Sequence, residues 1–273
     1  MKPSSGLKRR GAEKVLRPIR PNAGLEAAFR QKLTALVEEM NNSVLYWVRA
    51  SYRANEPRIL ALDETPAAAL LASIRRLRKQ WLKRFDTASE KLAAYFATSI
   101  ADRSDAVLKK ILKDGGFAVE FRLTAAQRDV LHATIGEQVG LIKSIASDHL
   151  GKVEGIVMRA VQAGGDLGQL TSDLQAQFGV TKRKAAFIAR DQCSKATASL
   201  TKVRTLELGL EEAEWLHSAG GRRPRPTHVK AGKDRQRYKI RDGWLDPSLG
   251  KHIWPGTEPN CRCVSRIVLP TKL

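Results

Sequence analysis

The chain has 273 residues, 42% hydrophobic and 28% charged, enough apolar matter for one large domain or two modest ones. Lysine and arginine total 48 against 28 acidic residues, and the net charge of +20 attracts polyanions, nucleic acid first and an anionic membrane surface second. No run of about 18 apolar residues exists to span a bilayer as a helix, and an odd cysteine count (Cys193, Cys261, Cys263) excludes a simple disulfide framework and points to synthesis in a reducing cytosol.

Residues 1–24 read as a basic flexible arm. Lys2, Lys8, Arg9, Arg10, Lys14, Arg17 and Arg20 stand against Glu13, while Pro3, Pro18 and Pro21 interrupt any helix. The segment lacks the apolar stretch of a secretory signal, and like-charge tails of this kind lie solvated or on phosphates. Residues 25–150 read as a helical domain. Leu25, Phe29, Leu33, Leu36, Val37, Met40, Val44 and Val48 recur at helical spacing, as do Leu70, Ile74, Leu77, Trp81, Phe85, Leu92 and Phe96. A Pro-bearing connection, Asn55 to Pro66, separates the two stretches. Gly115-Gly116 breaks the pattern, and Phe117 to Leu123 suits a short strand. Thr124, with Gln127 three residues on, starts a third helix in the capping-box arrangement. Its stripe is Val130, Leu131, Ile135, Val139, Ile142 and Ile145.

The remainder, 151–273, is punctuated more finely. Val153 to Val161 predicts a short helix stopped by Gly164-Gly165, and Asp166 caps a next helix ending at Gly179. Thr181 is an N-cap for a long helix to about Leu208, with Gly209 past its end. Glu211 to His217 alternates like a strand, and the chain beyond His217 is rich in Gly, Pro, Trp and basic residues. The expected fold class is mainly α: a long-helix N-terminal body with a small irregular α+β C-terminal domain.

The usual catalytic signatures are missing. There is no phosphate-cradling loop ending in Lys-Ser or Lys-Thr, no His-Glu-x-x-His pair and no Gly-x-Ser-x-Gly elbow. Nor is there an acidic cluster for two-metal phosphoryl transfer. This points away from an enzyme. Two local features carry other chemistry. Leu167 to Gln192 could form a helix-turn-helix whose second helix opens with Lys182, Arg183 and Lys184 on phosphates, although a plain helical hairpin explains it as well. His228, His252, Cys261 and Cys263 are soft enough for zinc. Cys-x-Cys is a tight spacing, however, and two buried thiols on one side of a strand are the plainer reading. No cofactor is expected, with a structural zinc at His228, Cys261 and Cys263 as the minor alternative. Between Arg222 and Arg241 stand nine basic residues (Arg222, Arg223, Arg225, Lys230, Lys233, Arg235, Arg237, Lys239, Arg241) against one acid, Asp234, a net charge of 9 − 1 = +8 suited to a phosphate backbone.

Five pieces occur in order: Gly164-Gly165, Gly179 to Gln192, Glu214 to His228, Trp254-Pro255-Gly256 and Pro259 to Cys263. Together, over about residues 140–268, they resemble the C-terminal domain of phage minor head proteins, the family of the Mu F and SPP1 head-morphogenesis proteins. There an Ala-Arg-Asp helix, matched by Ala189-Arg190-Asp191, leads to a Trp-bearing strand, matched by Trp215. An Arg-x-x-His step, a Pro-Gly turn and a closing Asn-Cys-Arg-Cys come next, matched by Arg225 to His228, Pro255-Gly256 and Asn260-Cys261-Arg262-Cys263. The chain departs from the pattern at Ser218 to Gly221, where members carry an acid, and at Thr257-Glu258, where a His is frequent. Members with a Cys-x-x-Cys step, where this chain has Arg225-Pro226-Thr227-His228, are better suited to metal, and these departures together weaken the case for it.

The resemblance implies that 151–273 is a Mu F-like head-morphogenesis domain of a minor capsid protein. Its implied partners are the portal protein and packaged double-stranded DNA, with the major capsid or scaffolding protein as further candidates and no membrane. The implied location is the virion head interior near the portal vertex, after synthesis in the bacterial host cytoplasm. Expected DNA contacts are Lys182, Arg183, Lys184, Arg222, Arg223, Arg225, Lys230, Lys233, Arg235 and Arg237. Arg190 and Asp191 are expected to pair within the fold, Trp215 to anchor the strand, and His228 and Asn260 to Cys263 to shape the motif. The alternatives are a helix-turn-helix regulator and a phage-delivered nuclease or other effector built around His228.

Overall fold

The helical spacing is realised as long helices. The computed structural model describes residues 14–54, 66–163, 167–221 and 223–269. Its elements are α1 (Ala23–Ala54), α2 (Pro66–Asp114), α3 (Ala125–Gln162), α4 (Leu167–Glu207), β1 (Glu212–Leu216), α5 (Pro226–Lys233), β2 (Arg237–Lys239), β3 (Trp244–Asp246), β4 (Lys251–Ile253) and β5 (Val264–Val268). The chain is thus mainly α, with a small strand-containing region near its C-terminal end. Among the described residues no helix is long and apolar enough to cross a membrane. The expected Asn55 to Pro66 connection lies, up to residue 65, outside the described residues.

Contacts divide the described chain into two units, neither consecutive in sequence. The helical unit takes 21–54, 66–100, 131–163 and 167–193; the mixed unit takes 14–20, 101–130, 194–221 and 223–269. In the helical unit α1 buries Phe29, Leu33, Val37, Met40, Val44 and Val48 along one face. From α2 come Leu70, Ile74, Leu77, Trp81, Phe85 and Phe96, and Phe29 stacks on Phe96 at 4.4 Å. Ile142, Ile145, Val153 and Val157 of α3 and Leu170, Leu174, Ala185 and Ile188 of α4 complete this core. Val130, Leu131, Ile135 and Val139 are only half-buried, because Thr134 and Gln138 occupy the innermost positions of that part of α3.

Several local expectations give way to tertiary packing. No separate helix begins at Val153, since α3 runs unbroken to Gln162. The predicted turn at Gly179-Val180 does not form, and α4 is continuous from Leu167 to Glu207. Thr181 is therefore not an N-cap. It is buried, its hydroxyl donates to the Gln177 carbonyl at 3.1 Å, and His149 Nδ1 meets it at 2.8 Å. A glycine inside a helix costs only about 1 kcal/mol, which this packing outweighs, and no helix-turn-helix exists there. Asp166 and Gly164-Gly165 lie outside the described residues.

Phe117 to Leu123 is not a strand. Gly116 has φ +94°, and Phe117 N–H and Gly116 N–H bond to the carbonyls of Leu112 and Lys113. This Schellman ending of α2 turns Phe117, Val119 and Phe121 into a cluster with Leu16, Ile19, Leu108, Leu112, Leu210 and Ile267 instead of onto a sheet edge. Gly209, φ +70°, ends α4 in the same way, with Leu210 N–H on the Thr205 carbonyl. Thr124 does cap α3, its hydroxyl accepting from Gln127 N–H at 3.2 Å; the Gln127 side chain donates to the Leu200 carbonyl, so only half of the capping box is built.

In the mixed unit β1 is central in an antiparallel sheet of order β2-β1-β5, and β3 pairs antiparallel with β4. Of the expected basic arm, residues 14–20 belong to this unit. Val15 bridges Val268, Leu16 and Ile19 are buried, and Arg17 pairs with Asp114 at 2.7 Å. Residues 1–13 lie outside the described residues. Arg204 is a buried cation of this unit, held by both Asp105 oxygens at 3.0 and 2.6 Å, by Glu207 at 2.9 Å and by the Arg122 carbonyl. Helix α5 packs on the end of β1 so closely that a Cβ on Gly232 would stand 2.4 Å from His217 Cβ and 2.9 Å from its backbone nitrogen. Gly232→Ala is therefore expected to lose about 2 kcal/mol, as overpacking of a tight contact does. The helix-propensity gain alone would stabilise by about 1 kcal/mol, so a urea midpoint that rises would refute the close approach.

Candidate functional site

Strand β2 alternates cleanly, with Tyr238 buried and Arg237 and Lys239 exposed. Tyr238 is a core residue whose hydroxyl shares a 2.6 Å hydrogen bond with Ser265, and burial raises its pKa. The expected basic loop is thus a helix and a strand, α5 and β2, joined by a short turn. Arg223, Lys230, Lys233, Arg235, Arg237, Lys239 and Arg241 are exposed along it, beside the exposed acids Asp234 and Asp242. Arg237 and Arg266 flank buried Glu214 at 3.6 and 3.7 Å. Arg225 is half-buried and donates to the Pro259 carbonyl at 3.1 Å. Among the described residues, none of Arg223, Lys230, Lys233, Arg235, Lys239 and Arg241 has a carboxylate at ion-pair distance. Arg222 lies outside the described residues.

Arg235 has φ +47°. Gln236 N–H bonds to the Ala231 carbonyl at 2.8 Å and Arg235 N–H to the Gly232 carbonyl at 3.4 Å, so Arg235 holds the left-handed position that glycine takes most easily at a helix end.

The other predicted basic cluster sits in the helical unit. Lys182 pairs with Glu38 at 2.7 Å, and Lys184 pairs with Asp148 at 2.5 Å and donates to Ser144 Oγ at 2.9 Å. Arg183 is exposed. Also on α4, Arg190 places its guanidinium 5.8 Å from the Phe187 ring centroid, and Asp191 is buried.

Beneath the basic surface, within the mixed unit, three ligand-type side chains converge. His228 on α5, Cys261, and Cys263 just before β5 are all buried, their ligand atoms within 4.8 Å of one another. His228 Nδ1 lies 3.5 Å from Cys261 Sγ and 3.9 Å from Cys263 Sγ. His252 is not among them; it is exposed and meets the Gly243 carbonyl at 3.3 Å. The turn that presents the cysteines is explained by its sequence. Cys261 N–H bonds to the Glu258 carbonyl at 2.9 Å, with Pro259 second and Asn260, φ +60°, third, the residue types a type II turn selects. Upstream, Gly256 has φ +89°, and Trp254 is tied by its indole N–H to the Ile240 carbonyl and lies beneath the Lys202 ammonium. Trp215, 1% exposed, packs edge-on against His228 at 4.9 Å.

Sequence reasoning missed Asp246. Its carboxylate is completely buried, with Oδ2 3.4 Å from His228 Nε2. Oδ1 accepts from Ser248 N–H and Oγ–H at 2.8 and 2.7 Å, and Oδ2 from Thr227 Oγ–H at 3.2 Å. Burial works to raise its pKa, but the hydrogen bonds from Ser248 and Thr227, with His228 opposite, bring it below the usual carboxylate range. Asp246-Pro247-Ser248 carries the Asx-turn signal; its burial against a histidine is visible only in three dimensions. Of the coupled thiols, Cys261 is drawn toward the thiolate by a hydrogen bond from Cys263 that outweighs burial, with His228 and the N–H groups of Cys263 and Gly256 assisting. Cys263 is pushed the opposite way by the same partnership. A cavity of about 260 Å³ opens over the cluster, lined by His217, Arg223, Arg225, Asn260 and Arg262 as well as by the cluster itself.

Residues 151–266 match the family described as phage Mu protein F like protein. A Haemophilus influenzae protein, described as an uncharacterized protein, is 30% identical over 267 residues, which cover 93% of this chain and 55% of that one. The chain thus spans about half the length of that curated relative. No solved structure matches. Both the basic surface and the histidine–cysteine cluster fall inside the matched stretch, so it is the C-terminal region of this chain, residues 151–266, that is similar to the phage Mu protein F-like family.

Proposed function

We propose that the chain is a minor head protein of a tailed phage, acting in head morphogenesis beside the portal and holding packaged double-stranded DNA without reading its sequence. The match to the phage Mu protein F-like family supports a phage head-related protein that works with other head components. Portal association, DNA contact and a role without a catalytic centre of its own are the finer parts of this reading. Within the head, the portal is its main partner, with the major capsid or scaffolding protein as further contacts.

One observation carries the DNA contact: the exposed basic row on α5 and β2, centred on Arg235. A non-glycine residue in the left-handed region costs about 1–2 kcal/mol. Strain of this kind collects where function keeps a side chain that folding alone would not choose. Lys182 and Lys184 are engaged with carboxylates of the helical unit, so the contact is assigned to Lys230, Lys233, Arg235, Lys239 and Arg241 instead.

The test separates strain from charge. Arg235→Gly is expected to keep or raise the urea midpoint while weakening DNA binding. Adding Lys233→Ala should lower the log–log salt slope by about 0.9 for each phosphate that is no longer neutralised. Affinity should not vary across a randomised duplex library, and co-sedimentation with the portal ring should survive high salt. DNA binding unchanged by both substitutions would overturn the assignment, and failure to sediment with the portal would overturn the portal reading.

A further inference from the structure

Two thiol sulfurs and one imidazole nitrogen point into a common space in the mixed unit, and their separations have a chemical meaning. With Zn–S bonds of about 2.3 Å and Zn–N bonds of about 2.0–2.1 Å, a tetrahedron has S···N edges of about 3.6 Å and an S···S edge of about 3.8 Å. The two S···N separations here are 3.5 and 3.9 Å, and all three ligand atoms lie within 4.8 Å of one another. Two buried thiols acting only as small apolar groups have no need of an imidazole nitrogen nearly equidistant from both.

The surroundings fit the same pattern. A ligating histidine is normally oriented by a carboxylate on its other ring nitrogen, and here buried Asp246 stands 3.4 Å from His228 Nε2, itself locked by Ser248 and Thr227. That buried Nε2 has no aligned hydrogen-bond partner, and a ring drawn toward a metal or rotated slightly about its axis would align it with Asp246. Backbone N–H groups of Cys263 and Gly256 act on the Cys261 sulfur, and that of Ser218 on the Cys263 sulfur. Donors on sulfur stabilise a thiolate, the form that binds metal.

We propose that Cys261 Sγ, Cys263 Sγ and His228 Nδ1 bind a zinc-class divalent cation, with Asp246 as the positioning residue on His228 and the fourth coordination position facing the cavity. Two thiolates neutralise the dication, which suits a cavity whose rim carries Arg223, Arg225 and Arg262. The metal clips α5 to the turn before β5 across 33 residues of chain, and so fixes the base on which the basic surface is mounted. Three protein ligands and one open position distinguish this site from a closed four-ligand structural zinc.

The test uses the full chain. As purified without chelator it should carry about one zinc per chain, and the metal-free chain titrated with Co²⁺ should develop the intense visible bands and the thiolate charge-transfer band of a tetrahedral two-sulfur site. Asp246→Asn is expected to weaken Co²⁺ binding about 10–100-fold while preserving the spectrum, as loss of an outer-shell partner does. Cys263→Ser should remove most of the charge-transfer intensity, and Cys193→Ser, in the helical unit, should change nothing. Because the cysteine variant risks misfolding, the decisive measurement is the unaltered chain, with circular dichroism confirming that the metal-free form is folded. Absence of tetrahedral cobalt bands in that folded chain, or an unchanged cobalt affinity in Asp246→Asn, would overturn the proposal.

Discussion

Replacing Trp215 by alanine is expected to cost about 4 kcal/mol of folding stability, the middle of the range for deleting a buried aromatic side chain. Trp215 is 1% exposed in the central strand of the mixed unit. Its ring packs against His228 at 4.9 Å, Trp244 at 5.0 Å and Tyr238 at 6.4 Å, so one indole joins β1, α5, β2 and β3. Tyr238 is held in place by its hydrogen bond to Ser265, which limits collapse into the space left behind. Stability of an ordinary domain is about 5–15 kcal/mol, so the variant should show a much lower urea midpoint and a histidine–cysteine cluster robbed of its floor. Trp215→Phe should recover most of the loss because it restores volume and edge-on packing. A loss below about 1 kcal/mol in the alanine variant would mean that the site relaxes freely, against the packing described.

The helical unit should lose about 3 kcal/mol between pH 6.5 and pH 4, the stability equivalent of the shift at His149. His149 is 1% exposed, and its Nδ1 lies 2.8 Å from Thr181 Oγ1. The Thr181 hydroxyl gives its own hydrogen to the Gln177 carbonyl, so the neutral ring must donate from Nδ1, leaving buried Nε2 with no partner. A second proton would place a charge and an unsatisfied donor in the core, and burial lowers the pKa from 6.5 to about 4. Between those values the unfolded chain binds more protons than the folded one, so stability rises with pH there. The contribution is complete above pH 6.5, declines as pH falls and is gone below about 4. Urea unfolding of the wild type and of His149→Gln from pH 8 to pH 4 reads this directly as a difference between two curves. A flat difference would show that His149 titrates normally and is not buried as described.

Much of the architecture is legible from local signals. The stops at Gly116 and Gly209 and the Thr124 cap rest on interactions between residues within about five positions of one another, and the stripe from Phe29 to Val48 and the strand bearing Trp215 are announced by equally local patterns, which periodicity and capping rules report. Gly179 shows where such signals fail: its turn propensity is worth about 1 kcal/mol, less than the burial of Thr181 against His149 and of Ala185 and Ile188 in the core.

The chemistry of the candidate site was legible only in part. Cysteine and histidine identities pointed toward metal, but Cys-x-Cys spacing argued against it, because spacing describes a short loop and not what a helix 33 residues away brings to it. Asp246 is not marked by sequence because an Asp beside a turn looks solvated until Thr227 and His228 of α5 and the Ser248 turn close around it. Net charge was set by composition alone, and with it the attraction to polyanions. Which lysines and arginines face solvent, and which are consumed by Glu38, Asp148 or Asp105, depended on helices packing side by side. Charge is a property of residues, whereas its availability is a property of neighbours that only the folded chain supplies.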